Sequence, residues 1–228
     1  MSCALFAQSE EGIVNVSFRA LSWDNTIPKV EYFDGTEVAS FLVPNGSRSV
    51  VQHYTGPATI TFYDTLRFGP DNAPIYPPVA FASIPPDIQS PLFLFIKNAD
   101  GDDYPYKVLV VDESAQNFPN GSYRFFNLTQ YNLACLFGKN KFQLKPGSQE
   151  TLSTEEAEKK YVEIKLARND ERTEGWRLAY ASKWGIRKNR RALVFLYSKP
   201  DDPSEIITKK YYDNGPAPQG SVHVQLEH

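Results

Sequence analysis

The sequence predicts an all-β protein made of two tandem antiparallel β-sandwich domains, immunoglobulin-like in size and related by internal duplication. Three observations support this. Short β-branched and aromatic runs recur along the chain, turn signals separate them, and several segments repeat about a hundred residues apart. With 228 residues, 41% of them hydrophobic and 14% aromatic, the chain has enough apolar material for a sizeable core.

The first half contains eight strand-like runs. Turn residues such as Asp34-Gly35, Pro44-Asn45-Gly46 and Asp100-Gly101 bound these runs, because Gly, Pro, Asn and Asp adopt the backbone angles that tight turns need. The predicted strands are residues 13–21, 29–33, 38–43, 49–53, 58–63, 79–83, 92–97 and 106–111.

The second half has the same character. Its predicted strands are residues 122–128, 133–137, 141–145, 161–167, 176–183, 192–197 and 206–212. Residues 153–160 start with an N-cap serine and early glutamates, so they predict a short helical turn. Strict alternation along 176–180 predicts that Trp176, Leu178 and Tyr180 share one face and lie together in the core.

Four pairs of segments match in the same order along the two halves. The offsets are 107, 102, 99 and 101 residues, as expected for a duplicated unit of about a hundred residues after small insertions and deletions. The matched pairs are 16–21 with 123–128, 42–47 with 144–148, 79–83 with 178–182, and 92–96 with 193–197. We therefore expect one unit at residues 12–113, a linker at 114–119 and a second unit at 120–213.

Unit length, strand number and the duplicated segments resemble tandem immunoglobulin-like or related β-sandwich domains of exported bacterial proteins that have no assigned activity. The resemblance covers residues 12–213. Neither unit carries the pair of cysteines that joins the two sheets of antibody-type domains. The resemblance implies a sandwich architecture, and it implies no catalytic function, because one fold supports many activities.

The two ends of the chain are expected to lie outside the folded units. Residues 1–11 have the profile of the tail of a signal peptide, which predicts export to the periplasm or the extracellular space, with a disordered cytoplasmic N-terminus as the alternative. Contact with a membrane is expected only if Cys3 carries a lipid anchor. Residues 214–228 are predicted to be a disordered tail whose last part, Leu226 to His228, derives from a vector.

Charge is distributed unevenly between the units. The formal net charge is −3, but residues 12–113 hold six Lys and Arg against twelve Asp and Glu, whereas residues 120–213 hold eighteen against twelve. Opposite net charges favour docking of the units on each other or self-association of the chain, or an anionic partner for the second unit. Divergence of surface charge between duplicated domains is the alternative. No nucleic-acid module is recognisable, so nucleic acid is not an expected partner.

One basic cluster is the densest candidate for a binding surface. Its residues Arg187, Lys188, Arg190 and Arg191 follow Trp184, so the cluster could hold an anionic group while the indole stacks on a ring. A solvated hairpin loop is the alternative. Trp23, among polar neighbours, is the tryptophan best placed to be exposed.

The sequence indicates no catalytic residues, no cofactor and no metal ligands. His53 is the one histidine within the two predicted units, and no nucleophile motif accompanies it. The acidic turn at residues 100–103 does not have the spacing of a calcium loop. Cys135 lies in an apolar stretch and is expected to pack as a small hydrophobic residue.

Two functions from different classes remain open. The first is a non-catalytic binding or assembly module of the bacterial cell envelope, whose partner is another envelope protein. The second is a carbohydrate-binding accessory protein that uses exposed aromatic side chains. An enzyme acting alone is not expected, because no group of residues with catalytic spacing occurs.

Overall fold

A computed structural model of the chain describes residues 12–65, 67–68, 70–71, 74–154, 160–170, 175–187 and 189–215. The predicted leader, most of the predicted tail and residues 155–159 of the predicted helical turn lie outside the described residues. The chain divides into two compact units, Met1–Ser114 and Ala115–His228. In the described part, all regular structure is β, and no helix there could cross a membrane.

The described part of the first unit contains ten strands. They are β1 (Ile13–Ser22), β2 (Ile27–Phe33), β3 (Val38–Val43), β4 (Gln52–Pro57), β5 (Thr59–Tyr63), β6 (Arg67–Phe68), β7 (Pro74–Ile75), β8 (Pro78–Ser83), β9 (Pro91–Lys97) and β10 (Tyr106–Asp112). Eight of them form two four-stranded sheets with the orders β10-β9-β1-β4 and β3-β2-β5-β8, and β6 pairs with β7 in a short hairpin.

Eight strands lie in the part of the second unit that the structure describes. They are β11 (Ser122–Asn127), β12 (Leu133–Phe137), β13 (Asn140–Leu144), β14 (Gln149–Ser153), β15 (Tyr161–Asp170), β16 (Gly175–Gly185), β17 (Arg191–Ser198) and β18 (Ile206–Asp213). Their sheets have the orders β14-β11-β17-β18 and β13-β12-β15-β16.

The strand orders of the two units are identical. Each strand of the second unit takes the place of one in the first, from β11 for β1 to β18 for β10. In both units the first strand pairs in parallel with the last but one, while the other pairings within the four-stranded sheets are antiparallel. This shared topology confirms two β-sandwiches related by duplication.

Backbone hydrogen bonds fix which residues correspond. The amide of Trp23 donates to the carbonyl of Phe95 at 2.8 Å, and the amide of Leu128 donates to the carbonyl of Leu196 at 2.8 Å. β9 and β17 match at the offset of 101 residues that the repeated segments suggested. Trp23 of the first unit then corresponds to Leu128 of the second, so the offset between β1 and β11 is two residues smaller than the 107 suggested by the repeated segments. A shift of two leaves every side chain on the same face of the sheet, so the pattern of buried residues did not reveal it.

A β-bulge interrupts the β5–β8 pair of the first unit. Phe62 pairs with Ala80 and Tyr63 pairs with Pro78, so Val79 has no partner across the strands. A bulge inserts one residue and reverses the face on which the following side chains lie.

The second unit has its bulge at the corresponding place. Leu166 pairs with Tyr180 and Ala167 pairs with Leu178, which leaves Ala179 as the extra residue. The prediction that Trp176, Leu178 and Tyr180 lie together in the core is therefore wrong for the first two. Trp176 is 49% exposed and Leu178 is 66% exposed, whereas Tyr180 packs against the core.

Each unit has its own aromatic core between its sheets. In the first, Phe18, Tyr32 and Phe62 contact one another edge to face or tilted, with ring centroids 5.2–6.4 Å apart. In the second, Phe125 and Phe137 pack against Trp184, with centroids 6.1–6.2 Å from the indole. Such contacts add about 0.5–1.5 kcal/mol per pair to the burial of the rings.

The end of the predicted linker packs on the second unit. Phe118 is fully buried, its ring lies under the guanidinium groups of Arg124 and Arg191, and its carbonyl accepts a hydrogen bond from Arg191 at 2.7 Å. Arg124 donates to the carbonyl of Asn117 at 2.6 Å. Residues 117 and 118 are therefore part of the second unit in structural terms.

Most predicted strands lie within one or two residues of the observed ones. The largest displacement is β4, which begins at Gln52 rather than at residue 49. Strand β14 was not predicted, because its sequence Gln-Glu-Thr-Leu-Ser is mostly polar. It lies at the edge of its sheet and only one of its sides pairs with a neighbour, so it needs little apolar character.

Replacing Phe62 by Ala should lower the free energy of unfolding by about 3–5 kcal/mol, because the ring is fully buried among five other aromatic rings. Phe33→Ala is the matched control, since that ring is half exposed. Chemical denaturation of both variants tests this. Equal losses for the two would contradict the position of Phe62 at the centre of the first core.

Candidate functional site

A shallow concavity lies on the outer face of the sheet β13-β12-β15-β16. It has a volume of about 470 Å³ and is open to solvent. We call it the outer groove. Its lining residues are Ala134, Cys135, Leu136, Lys141, Phe142, Gln143, Lys165, Ala167 and Leu178.

Two alanines make the groove. Ala134 on β12 pairs with Ala167 on β15, so two methyl groups stand side by side in the middle of the sheet. Gln143 and Leu178 continue the same row on the neighbouring strands. Since side chains on one face of adjacent strands are close neighbours, two small ones leave a depression between the larger ones that flank them.

The first unit carries large residues at the same positions. The shared pairing and the shared bulge match Glu31 to Ala134 and Tyr63 to Ala167. The ring of Tyr63 contacts that of Tyr76 at 5.9 Å between centroids, and the carboxylate of Glu31 pairs with Lys29 at 2.6 Å. The first unit is therefore filled where the second is hollow.

An apolar rim adjoins the groove on β16. Trp176 and Leu178 lie N-terminal to the bulge, which places them on the outer face with Ala167. Both are substantially exposed, so the rim offers an indole and an isobutyl group to solvent. These two residues are the functional candidates that the sequence reasoning missed. The alignment of the repeats held the signal. The sequence matches Val79 to Leu178, whereas the structure matches Val79 to Ala179, and this difference of one residue moves Trp176 and Leu178 to the outer face.

The groove lies on a positively charged part of the sheet. Lys141 and Lys165 line it, and Lys183 stands opposite Glu163 on the same face. Lys165 donates to Glu163 at 2.8 Å, and this hydrogen bond and the ammonium charge hold the pKa of the Glu163 carboxyl below its ordinary value. Three ammonium groups against one carboxylate leave the face cationic.

The predicted aromatic site residues occupy different environments. Trp184 is 3% exposed and belongs to the core of the second unit, so the expectation that its face could stack on a ligand is wrong. Its Nε1 donates to the hydroxyl of Tyr180 at 3.1 Å. Trp23 is partly exposed and follows directly on β1 in the first unit, far in sequence from the basic cluster.

The predicted basic cluster does not form one surface. Arg187 is exposed, Lys188 lies outside the described residues, and Arg190 stacks on the ring of Tyr212 at 4.7 Å. Arg191 is buried and pairs with Asp213 at 3.0 Å, so its expected place on a ligand surface is wrong. Arg190 directly precedes Arg191, the first residue of β17, so their side chains point to opposite faces of the sheet.

His53 forms a cross-strand pair with Ser17. Its Nδ1 lies 3.0 Å from the Ser17 Oγ, and both residues are on the flat outer side of the β1–β4 pair. A serine beside a histidine serves acyl transfer only where an acid also orients the imidazole and an oxyanion hole faces the serine. Among the described residues, no three His, Cys, Asp or Glu side chains cluster as metal ligands would.

No protein-family model matches the sequence, and no curated protein matches it. The assignment of a binding face therefore depends on the geometry of the groove and of its counterpart in the first unit.

Cys135, beneath the groove, should not react with thiol reagents in the native protein. Burial raises the pKa of its thiol to about 12, so at pH 8 only about one molecule in ten thousand carries the reactive thiolate, against roughly a quarter in an unfolded chain. Alkylation of a Cys3→Ser variant, followed by mass spectrometry with and without denaturant, measures this. Rapid native labelling would show that the floor of the groove opens.

Proposed function

We propose that this protein is a non-catalytic binding module of the bacterial cell envelope, and that its second unit binds an acidic segment of a partner protein in the outer groove. The observation that carries the proposal is the hollow formed by Ala134 and Ala167, where the first unit has Glu31 and Tyr63. An acidic segment would place apolar side chains in that hollow and carboxylates near the lysines.

Charge supports an anionic partner. Lys141 and Lys165 line the groove, Lys183 lies farther along the same face, and the second unit as a whole carries an excess of basic residues. Complementary charge raises the rate of association and selects against cationic partners, while the apolar floor supplies most of the affinity. Such binding should weaken with salt. Self-association through the acidic first unit of a second copy is the other anionic partner that the charges favour.

A carbohydrate is the second candidate ligand, and the exposed indole of Trp176 favours it. Aromatic rings with an exposed face stack on the apolar faces of sugar rings, and Leu178 extends the same apolar strip. The expected export of the chain, based on the composition of residues 1–11, is compatible with both ligands.

Ala167→Tyr is the decisive variant, because it places the residue of the first unit in the groove of the second. We expect the variant to fold, since Tyr63 occupies the corresponding position in the same sheet arrangement. An array of acidic peptides and of neutral and acidic glycans identifies a ligand, and titration calorimetry then measures its affinity. Ala167→Tyr should weaken acidic-peptide binding at least tenfold, and Lys141→Glu should do so at low salt.

Lys107→Glu is the matched charge control, since it makes the same change on an exposed strand position of the first unit. Glycan binding that is lost in Trp176→Ala would favour the carbohydrate alternative. Peptide binding that survives Ala167→Tyr unchanged, or the absence of any ligand on the array, would overturn the groove as the binding site. Sedimentation of the wild type at low and high salt tests self-association.

A further inference from the structure

The edge strands β16 and β18 of the second unit face each other along one side of the sandwich. Alternate side chains of both strands point to the inner side along this line. We call these six residues the polar seam: Tyr180, Ser182 and Trp184 on β16, and Thr208, Lys210 and Tyr212 on β18. Tyr180, Trp184 and Tyr212 pack against the core there, and the hydroxyls of Thr208 and Ser182 hydrogen bond to the Tyr180 oxygen.

The same line is mostly apolar in the first unit, where Asp112 takes the place of Tyr212. Strand pairing matches Val108 to Thr208 and Val110 to Lys210, and both valines pack against the first core. On the facing strand, Ala80 and Ala82 take the places of Tyr180 and Ser182. The second unit therefore has four polar side chains where its duplicate has four apolar ones.

Lys210 of the seam and Arg190 beside it each place a cation over an aromatic ring of the seam. The ammonium of Lys210 lies 4.2 Å from the centre of the Trp184 ring, and the guanidinium of Arg190 lies 4.7 Å from that of Tyr212. Neither cation forms an ion pair within the described part of the chain, and the Nε of Arg190 is buried without an acceptor. A buried donor without an acceptor destabilises the folded chain, and a bound anion would supply the missing acceptor.

The tyrosines respond to this charge. Burial raises the pKa of Tyr180, but hydrogen bonds from Thr208, Trp184 and Ser182 and the charge of Lys210 together lower it below its ordinary value. Burial raises the pKa of Tyr212, although the charge of Arg190 opposes that effect. Negative charge is therefore favoured at the Tyr180 oxygen, whereas at Tyr212 burial outweighs the charge of Arg190.

We propose that the polar seam binds a tetrahedral oxyanion, a phosphate or sulfate group, through Lys210 and Arg190, with the seam hydroxyls as additional donors. An arginine and a lysine together with hydroxyl groups are the donors that bind such groups in proteins. This site is on the inner side of β16, whereas the outer groove is on its other face, so the two proposals are independent. A lysine pointing inward from an edge strand can instead serve only to prevent pairing between edges.

The indole N–H of Trp184 reports on the seam, because Lys210 covers that ring. We would titrate the full-length ¹⁵N-labelled chain with sodium sulfate and separately with sodium phosphate, with sodium chloride at equal ionic strength as reference, and would assign the signal with Trp184→Phe. A saturating shift of the Trp184 signal by sulfate or phosphate, absent with chloride, is expected. The two salts distinguish a preference for one anion.

Lys210→Val should abolish the saturating shift, and the valine is the residue that the first unit carries at this position. Lys210→Arg should retain it, as should Lys209→Val, which removes the same charge from the adjacent residue on the other side of β18. Lys210→Gln replaces Lys210→Val if the valine variant does not fold. No saturation in the wild type, or an unchanged response in Lys210→Val, would overturn the site. Dimerisation of Lys210→Val without anion binding by the wild type would assign Lys210 to edge protection.

Discussion

Alternation of side chains across the strands is the constraint on which the rest of this protein depends. Each sheet buries one face against its partner sheet, so successive residues of a strand belong to different surfaces. The inner positions form the two aromatic cores around Phe62 and Trp184. The outer positions are free to diverge, and a single extra residue is enough to exchange the two sets. The bulges at Val79 and Ala179 make that exchange at the same place in both units.

The sequence was sufficient for the fold class, the duplication and most strands, because β-branched runs and turn residues are local signals. It was insufficient wherever register decided the outcome. Trp176 and Leu178 were assigned to the core because a bulge leaves no mark in a pattern of alternating residues. Trp184 was assigned to the surface because a basic cluster follows it, whereas its indole is in the core. The outer groove depends on Ala134 and Ala167, and their small size is informative only when they are compared with Glu31 and Tyr63 at the corresponding positions of the first unit.

Duplication gives this chain an internal reference. Because corresponding positions in the two units share strand order, pairing and bulge, each unit shows which residues the other could carry without a change of fold. The core positions stayed apolar in both: Val30 and Tyr32 correspond to Leu133 and Cys135. The outer face and the seam differ between the units. The first unit has Glu31 and Tyr63 where the second has the two alanines of the groove, and the second has Lys210 where the first has Val110.

The attachment of Phe118 to the second unit determines how the chain can be divided for study. Two guanidinium groups lie over its ring, and its carbonyl and that of Asn117 accept hydrogen bonds from them. A fragment that starts at Asn120 would leave Arg124 and Arg191 with donors and ring contacts unsatisfied. The two halves should therefore be separated after Ser114 for independent expression, so that Asn117 and Phe118 stay with the C-terminal half.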